Sequence, residues 1–238
     1  MNVKKIVIPG ASHGIGLEAA RYFIANNWEV FGCGANRQDD RGMHMSEQNP
    51  NFHFRYADIS KEEDVEQLMA WCGHLDAAFN NAGIGCEPKS LHEMDSFEAI
   101  RVLKVNLFGT AVCMKHEIRS MQKKGGVIIN NSSVSAYKAA TGADAIYSAS
   151  KAGILRLTAE AAVDPAYIDR IKFYSLVPGW IETRMTSQDD KTLWAKKLPS
   201  GRAGNTREVA KLVYTVIENS GSFESGQVFY CSGGGVFV

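Results

Sequence analysis

The chain has no long apolar run, no excess of charge of either sign and no paired cysteines. Without roughly 20 consecutive apolar residues, it has no candidate membrane-spanning helix. Lys+Arg and Asp+Glu both number 26. No net field therefore points to nucleic acid or to an anionic membrane as partner. The five cysteines, Cys33, Cys72, Cys86, Cys113 and Cys231, are odd in number and lack paired spacing. They are expected to be reduced thiols of a cytoplasmic protein, not a disulfide framework. The six histidines show no metal-ligand spacing, so no metal is expected. Met1-Asn2-Val3-Lys4-Lys5 leads directly into an apolar strand, so no signal peptide is expected. Asn130 and Asn131 each open an Asn-x-Ser match, which means nothing inside an apparent strand. There is no linker, repeat or low-complexity tract.

What is present fits one compact domain over 1–238. Apolar, strand-like runs fall at 5–9, 28–33, 53–56, 75–79, 126–131, 171–176 and 227–230. Helical patterns fall at 17–26, 61–72, 96–122, 145–163 and 206–219, with 35–51 polar and irregular. Strands alternating with helices imply βαβ units. The expected fold class is α/β, a single-domain Rossmann-type doubly wound parallel sheet of about seven strands, with helices on both faces. Trp28 and Trp71 occupy core-like positions, whereas Trp180 directly follows Pro178-Gly179.

Tyr147 and Lys151 stand four apart in the helical segment 145–163. That spacing places both side chains on one helix face. An ammonium beside a phenol favours the phenolate and lowers a pKa that is otherwise about 10. Such a phenol can exchange a proton with a substrate oxygen. Taken alone, the bare motif reads first as a partly buried tyrosine beside a solvated lysine.

Gly10-Ala11-Ser12-His13-Gly14-Ile15-Gly16 lies between the first strand and the first helix. Gly10 permits a tight turn, Gly14 a close backbone approach to phosphate, and Gly16 close helix packing. The helix N-terminus offers free N–H groups to a pyrophosphate. Two rivals compete: a turn without a ligand, and a serine hydrolase. The second arises because Gly10-Ala11-Ser12-His13-Gly14 also reads Gly-x-Ser-x-Gly. Only nine residues precede Gly10, which leaves no earlier strand for an oxyanion loop.

Gly10-x-x-x-Gly14-x-Gly16, Asp58, Asn80-Asn81-Ala82-Gly83, Asn106, Ser133, Tyr147-x-x-x-Lys151 and Pro178-Gly179 follow in that order. Together they resemble the short-chain dehydrogenase/reductase family over nearly the whole chain. Ser200-Gly201-Arg202-Ala203-Gly204 and Ser225-Gly226-Gln227 resemble its ketoreductases similar to 3-oxoacyl-carrier-protein reductase. Some positions depart from the pattern: Pro9 replaces threonine, His13 a frequent arginine and Ser232 a common aspartate. The family's serine slot falls on Val134. The Ile-Asn-Asn-Ser-Ser context favours Ser133, with Ser132 and Ser135 left open.

The resemblance implies hydride transfer between a dinucleotide and a ketone or secondary alcohol, a small-molecule substrate. Tyr147 is then general acid or base, and Lys151 lowers its pKa and holds the nicotinamide ribose. Ser133 donates to the substrate oxygen, and Asn106 holds a water leading to Lys151. Asn106 also reads as a buried asparagine bonding backbone. Asp58 and Ile59 resemble adenine contacts, with Asp58 alternatively a helix cap. Asn81, Ala82 and Gly83 would border the adenosine ribose, with Asn80 a strand-end clasp. Pro178, Gly179, Ile181 and Thr183 would border the nicotinamide. Residues around 182–198 would form a substrate lid carrying Arg184, Met185, Trp194, Lys196 and Lys197. A non-catalytic dinucleotide sensor on the same fold is the rival reading.

Two expectations concern cofactor choice and assembly. Gly34, just after the second strand, fills the slot where NAD-binding folds place a carboxylate. Ser12, His13, Gly14, Ile15, Asn36 and Arg37 are nearby candidate ligands, and Arg37 suits a phosphate. NADP is therefore expected, with NAD the alternative if Asp39 or Asp40 folds back to the ribose. The helix over 145–163 is small or apolar nearly all round and must bury more than one face. With the family's known interfaces, that implies a homotetramer.

Overall fold

The computed structural model describes residues 3–87, 89–139, 144–186 and 196–236. Seven strands form one parallel sheet: β1 (Lys5–Pro9), β2 (Glu29–Gly34), β3 (Phe52–Tyr56), β4 (Ala77–Asn80), β5 (Gly126–Asn131), β6 (Ile171–Pro178) and β7 (Val228–Cys231). Their spatial order is β3-β2-β1-β4-β5-β6-β7. The helices are α1 (Gly14–Ala25), α2 (Arg41–Gln48), α3 (Glu62–Cys72), α4 (Ser96–Leu103), α5 (Thr110–Met121), α6 (Ala145–Val163) and α7 (Thr206–Glu218).

The sheet is covered on both faces, and its inner strands β1 and β4 are apolar along most of their length. Alternation along β1 shows the division. Ile6 and Ile8 enter one core with Phe23, Phe79, Tyr174 and Val213, whereas Val7 enters the other with Leu68, Ala78, Ile128 and Phe173. Among the described residues no helix is long and apolar enough to cross a membrane. Trp28 is buried as expected, but Trp71 is 40% exposed. It sits under Arg55, whose guanidinium lies 5.4 Å from the ring centroid.

Two segments depart from the sequence expectation. Residues 35–51 are not wholly irregular, because Arg41–Gln48 form α2. This helix buries only Gly42 and Met45, so its periodic signal is faint. Gly42 lets it lie on Phe54: a Cβ there would fall 2.4 Å from the ring. Nor is 96–122 one regular helix. Lys104–Gly109 forms a π turn between α4 and α5. Gly109 seats that turn on Ile59, 2.9 Å from where a Cβ would be. Insertions of this kind recur at functional sites.

The strand order reverses between β1 and β4: successive strands run outward on one side of β1, then return to begin on the other. Parallel sheets open a crevice at such a point, beyond the strand C-termini. Residues 10–16 follow β1 there, and 81–86 follow β4.

Candidate active site

The glycine loop is shaped by two close approaches and a positive φ at Gly14. Gly10 has φ +82°, which favours glycine, and a Cβ there would fall 2.7 Å from Ala82 Cα. A Cβ on Gly16 would stand 2.1 Å from the Gly10 carbonyl oxygen. Gly14 also has a positive φ and faces Thr183 across the cleft. His13 precedes α1 but sends no side-chain bond to its first N–H groups, and no acid occupies the first turn. A helix start left open in this way suits an anion. The cradle of bare backbone and open N–H groups, with no acid in the helix's first turn, therefore fits a dinucleotide's diphosphate.

Tyr147 and Lys151 lie on the first turns of α6. Lys151 is 3% exposed, and its ammonium donates to the Asn131 carbonyl at 2.8 Å. It lies 5.7 Å from the Tyr147 ring centroid. Burial lowers the Lys151 pKa to about 8. The half-buried Tyr147 does not show the depressed pKa expected from its spacing to Lys151. Burial raises it above 10, the Ser133 hydroxyl counters in part, and the Asp144 charge adds to the rise. The lysine gives its ammonium to a backbone carbonyl while lying over the tyrosine ring.

The three candidate serines separate cleanly. Ser132 Oγ donates to the Lys151 carbonyl at 2.7 Å and is buried, so it anchors α6. Ser133 faces the phenol. Ser135 bonds Ser133, its backbone N–H reaching Ser133 Oγ at 3.2 Å. Asn106 sits in the π turn, fully buried. Its Oδ1 accepts the Ile84 N–H at 2.8 Å, and its Nδ2 donates to the Ile84 carbonyl at 2.9 Å and to Ser150 Oγ at 3.0 Å. The side chain is thus a two-way clamp on backbone. The same strand exit holds Gly83, where a Cβ would lie 3.2 Å from Lys151 Nζ. Gly85, two residues on, has nothing within 4 Å of that position.

Asparagines link this centre to the glycine loop. Asn131 Nδ2 donates to Asn81 Oδ1 at 3.0 Å, and Asn81 Nδ2 donates to the Gly10 carbonyl at 3.0 Å. Asn81 is thus a clasp as well as a candidate ribose neighbour. Asn80 is instead buried, donating to Glu117 Oε2 and Asn130 Oδ1, both at 2.9 Å. No sequence signal gave Asn131 or Glu117 a role in the site. Asp58 does not cap α3, whose N-cap is Lys61. Its Oδ1 accepts the Ser60 N–H at 3.0 Å instead. Ile59 is buried, so only its backbone can meet a ligand.

Pro178 ends β6, and the Gly179 N–H donates to the Cys231 carbonyl at 2.9 Å. A Cβ on Gly179 would meet the Ser232 backbone at 2.7 Å, so these segments pack without a side chain between them. Ile181 is buried. Thr183 Oγ1 accepts the Met185 N–H at 3.3 Å. Trp194, within the expected lid, lies outside the described residues; Arg184, Met185, Lys196 and Lys197 are described.

At the outer end of the cleft, Asp39 has folded back. It is buried, held by Arg41 through Nε and Nη2, both at 2.7 Å, and 3.2 Å from His13 Nδ1. Asp40 is exposed and pairs with His44. Asn36 turns the loop by accepting the Gln38 N–H at 3.0 Å. The Arg37 guanidinium lies 5.2 Å over the Tyr56 ring. Burial lowers the His13 pKa, with Asp39 opposing.

Ser12, His13 and Asp39 together invite comparison with a hydrolytic triad. The geometry refuses it. Ser12 Oγ, at 2.9 Å, and Asp39 Oδ2 both meet the same ring nitrogen, Nδ1. A proton relay needs the two partners on opposite nitrogens. Ser12 is also only 5% exposed.

Comparison with known proteins agrees. A family model described as enoyl-(acyl carrier protein) reductase matches residues 10–235. Cis-4-hydroxycyclohexanecarboxylate dehydrogenase of Sinomonas cyclohexanicum is 33% identical, covering 96% of this chain and 94% of that protein. The 3-oxoacyl-(acyl-carrier-protein) reductase of Chlamydia pneumoniae is 31% identical, covering 97% and 96%. A solved short-chain dehydrogenase/reductase family protein superposes with a TM-score of 0.88 at 27% identity, covering 100% of both chains. The chain belongs to the short-chain dehydrogenase/reductase family of oxidoreductases.

Proposed function

We propose that the protein interconverts a ketone and a secondary alcohol with NADP, using Tyr147 as the proton-transfer residue. The observation that carries this reading is the convergence of Ser133, Tyr147 and Lys151 beside the glycine cradle. The dinucleotide, when bound, supplies or accepts the hydride. Gly10, Ser12, His13, Gly14, Ile15 and Gly16 hold its diphosphate by backbone. Asn81, Ala82 and Gly83 border its ribose, and Pro178, Gly179, Ile181 and Thr183 its nicotinamide end. Ser133 donates to the substrate oxygen as charge builds on it. The raised Tyr147 pKa keeps the phenol protonated at neutral pH, the form that gives a proton to a ketone oxygen. Lys151 stands one turn away to receive the ribose and to oppose negative charge on the phenol once that charge forms. A carbonyl and alcohol panel with NADPH and NADH tests the reading. No turnover with any substrate would favour the sensor alternative.

The choice of NADP rests on charge. Both Asp39 oxygens are engaged by Arg41 or His13, so its charge is met before a ligand arrives. Arg37 stays over Tyr56 with its guanidinium available to a 2′-phosphate. One observation favours NAD: a carboxylate does stand beside the loop, although Asp39 is buried there.

The proposed assembly is a homotetramer. The α6 residues Ala149, Ala152 and Ala159 are exposed in the isolated chain. Phe97 and Ile100 of α4 are 86% and 62% exposed. Such surface is covered in a stable protein of this size. The free cysteines suit a reducing compartment, which makes the cytoplasm the proposed location.

A further inference from the structure

Asp144 is the N-cap of α6, three residues before Tyr147. Its Oδ1 accepts the Ile146 N–H at 2.9 Å, which fixes the helix's first turn. Its Oδ2 points elsewhere, accepting the Cys86 thiol at 2.8 Å and the Cys86 N–H at 3.4 Å. Cys86 ends the short stretch after β4 that passes Lys151 at Gly83 and is clamped by Asn106 at Ile84. One segment, 83–86, therefore touches the lysine, the π turn and the cap of the helix that carries the tyrosine.

We propose that Asp144 is a positioning residue for Tyr147: one carboxylate oxygen sets the first turn of α6, and the other ties that turn to the 83–86 segment. The inference rests on the reading of Tyr147 as the proton-transfer residue. The groups facing this corner come from four places. Lys151 shares α6 with Tyr147, Ser133 comes from the turn after β5, Cys86, Glu87 and Lys89 from the stretch after β4, and Asp95, Glu98 and Arg101 from α4 and its N-cap. The Asp144 carboxylate holds the Cys86 thiol up to about 11, so the thiol remains a donor at neutral pH. The same charge opposes formation of the phenolate. Asp144 thereby orients the tyrosine and favours the protonated phenol.

Asp144→Asn keeps an oxygen for the cap but removes the charge and puts a donor where the thiol needs an acceptor. Tyr147 ionisation is read by tyrosinate absorbance without substrate, as the difference between each protein and its Tyr147→Phe counterpart. In Asp144→Asn the Tyr147 signal is expected to move to lower pH. The kcat is expected to fall about tenfold with the cofactor Kd unchanged, the pattern of a misplaced reacting group. Cys86→Ala should lower kcat, and Cys86→Ser, which keeps a donor, should restore it. A Tyr147 titration and kcat both unchanged in Asp144→Asn overturn the proposal. So does equal kcat in Cys86→Ala and wild type, a comparison that holds even if substitution at 144 unfolds the chain. Since the absorbance titration needs no turnover, a failure of the enzymatic reading leaves this test intact.

Discussion

Lys151 gives its ammonium to the carbonyl of Asn131 at 2.8 Å, and the side chain of that same Asn131 reaches Asn81. One β5 residue therefore couples the proposed proton-transfer centre to the clasp on the glycine loop. The lysine is held before any ligand binds, by a group that accepts but carries no charge.

Tyr147→Phe is expected to abolish turnover and leave cofactor affinity intact. The ring and its packing stay, and only the exchangeable proton is lost. Stopped-flow turnover beside a fluorescence titration of the cofactor checks both halves. Wild-type-like turnover would remove Tyr147 from the mechanism.

Ser133→Ala should raise the barrier by about 3 kcal/mol, the value of one well-placed donor to a developing oxyanion. Ser135→Ala should cost far less, since Ser135 reaches the centre only through Ser133. Ser132→Ala should act on stability instead, by freeing the Lys151 carbonyl. Steady-state kinetics and thermal melts on the three variants separate these roles.

Glu117 makes stability depend on pH. It is fully buried, and desolvation raises its pKa to about 8. The folded state therefore keeps a proton that the unfolded chain releases above its ordinary value of 4.5. Stability from this group is complete below that value and is lost as pH rises through about 8. Glu117→Gln has no proton to lose. Its Tm relative to wild type should climb between those limits, and a flat difference in melts across the range would contradict the assignment.

Cofactor choice can be read by binding alone. Arg37→Ala should weaken NADPH while sparing NADH, by roughly tenfold if one charge-assisted phosphate contact is lost. Asp39→Asn should loosen Arg41 and tighten NADPH. Calorimetric Kd values decide, and a wild-type preference for NADH untouched by Arg37→Ala would reverse the proposal.

The assembly is checked by light scattering at micromolar concentration. A tetramer mass is expected, and a monomer mass would refute the proposed burial of Phe97, Ile100 and the outer face of α6.

The sheet and its glycine turn were legible because their signals are local. Ile6-Val7-Ile8 followed by Gly10, Gly14 and Gly16 states strand, turn and helix within one stretch. The Tyr147–Lys151 pair was legible because helix period alone puts both on one face. Its electrostatics were not, because the rotamer of Lys151 is set by the Asn131 carbonyl, distant in sequence. The π turn was hidden for a similar reason: the apolar pattern of 96–122 continues through it, and its cause is the packing of Gly109 on Ile59. Asp39 illustrates the third limit. Asp39 and Asp40 were equivalent in the sequence, and only the reach of Arg41 and His13 decided which of the two folded inward.

Gly85 carries a consequence for how the protein could be altered. On one side of it the chain is clamped at Ile84, and on the other it is tied at Cys86, yet nothing lies within 4 Å of its missing Cβ and its backbone is of the ordinary kind. A side chain introduced there needs no backbone adjustment and projects from a wall whose two ends are fixed. The chain thus has a position between two fixed points that accepts a side chain, whereas a Cβ at Gly10 or Gly16 would run into backbone.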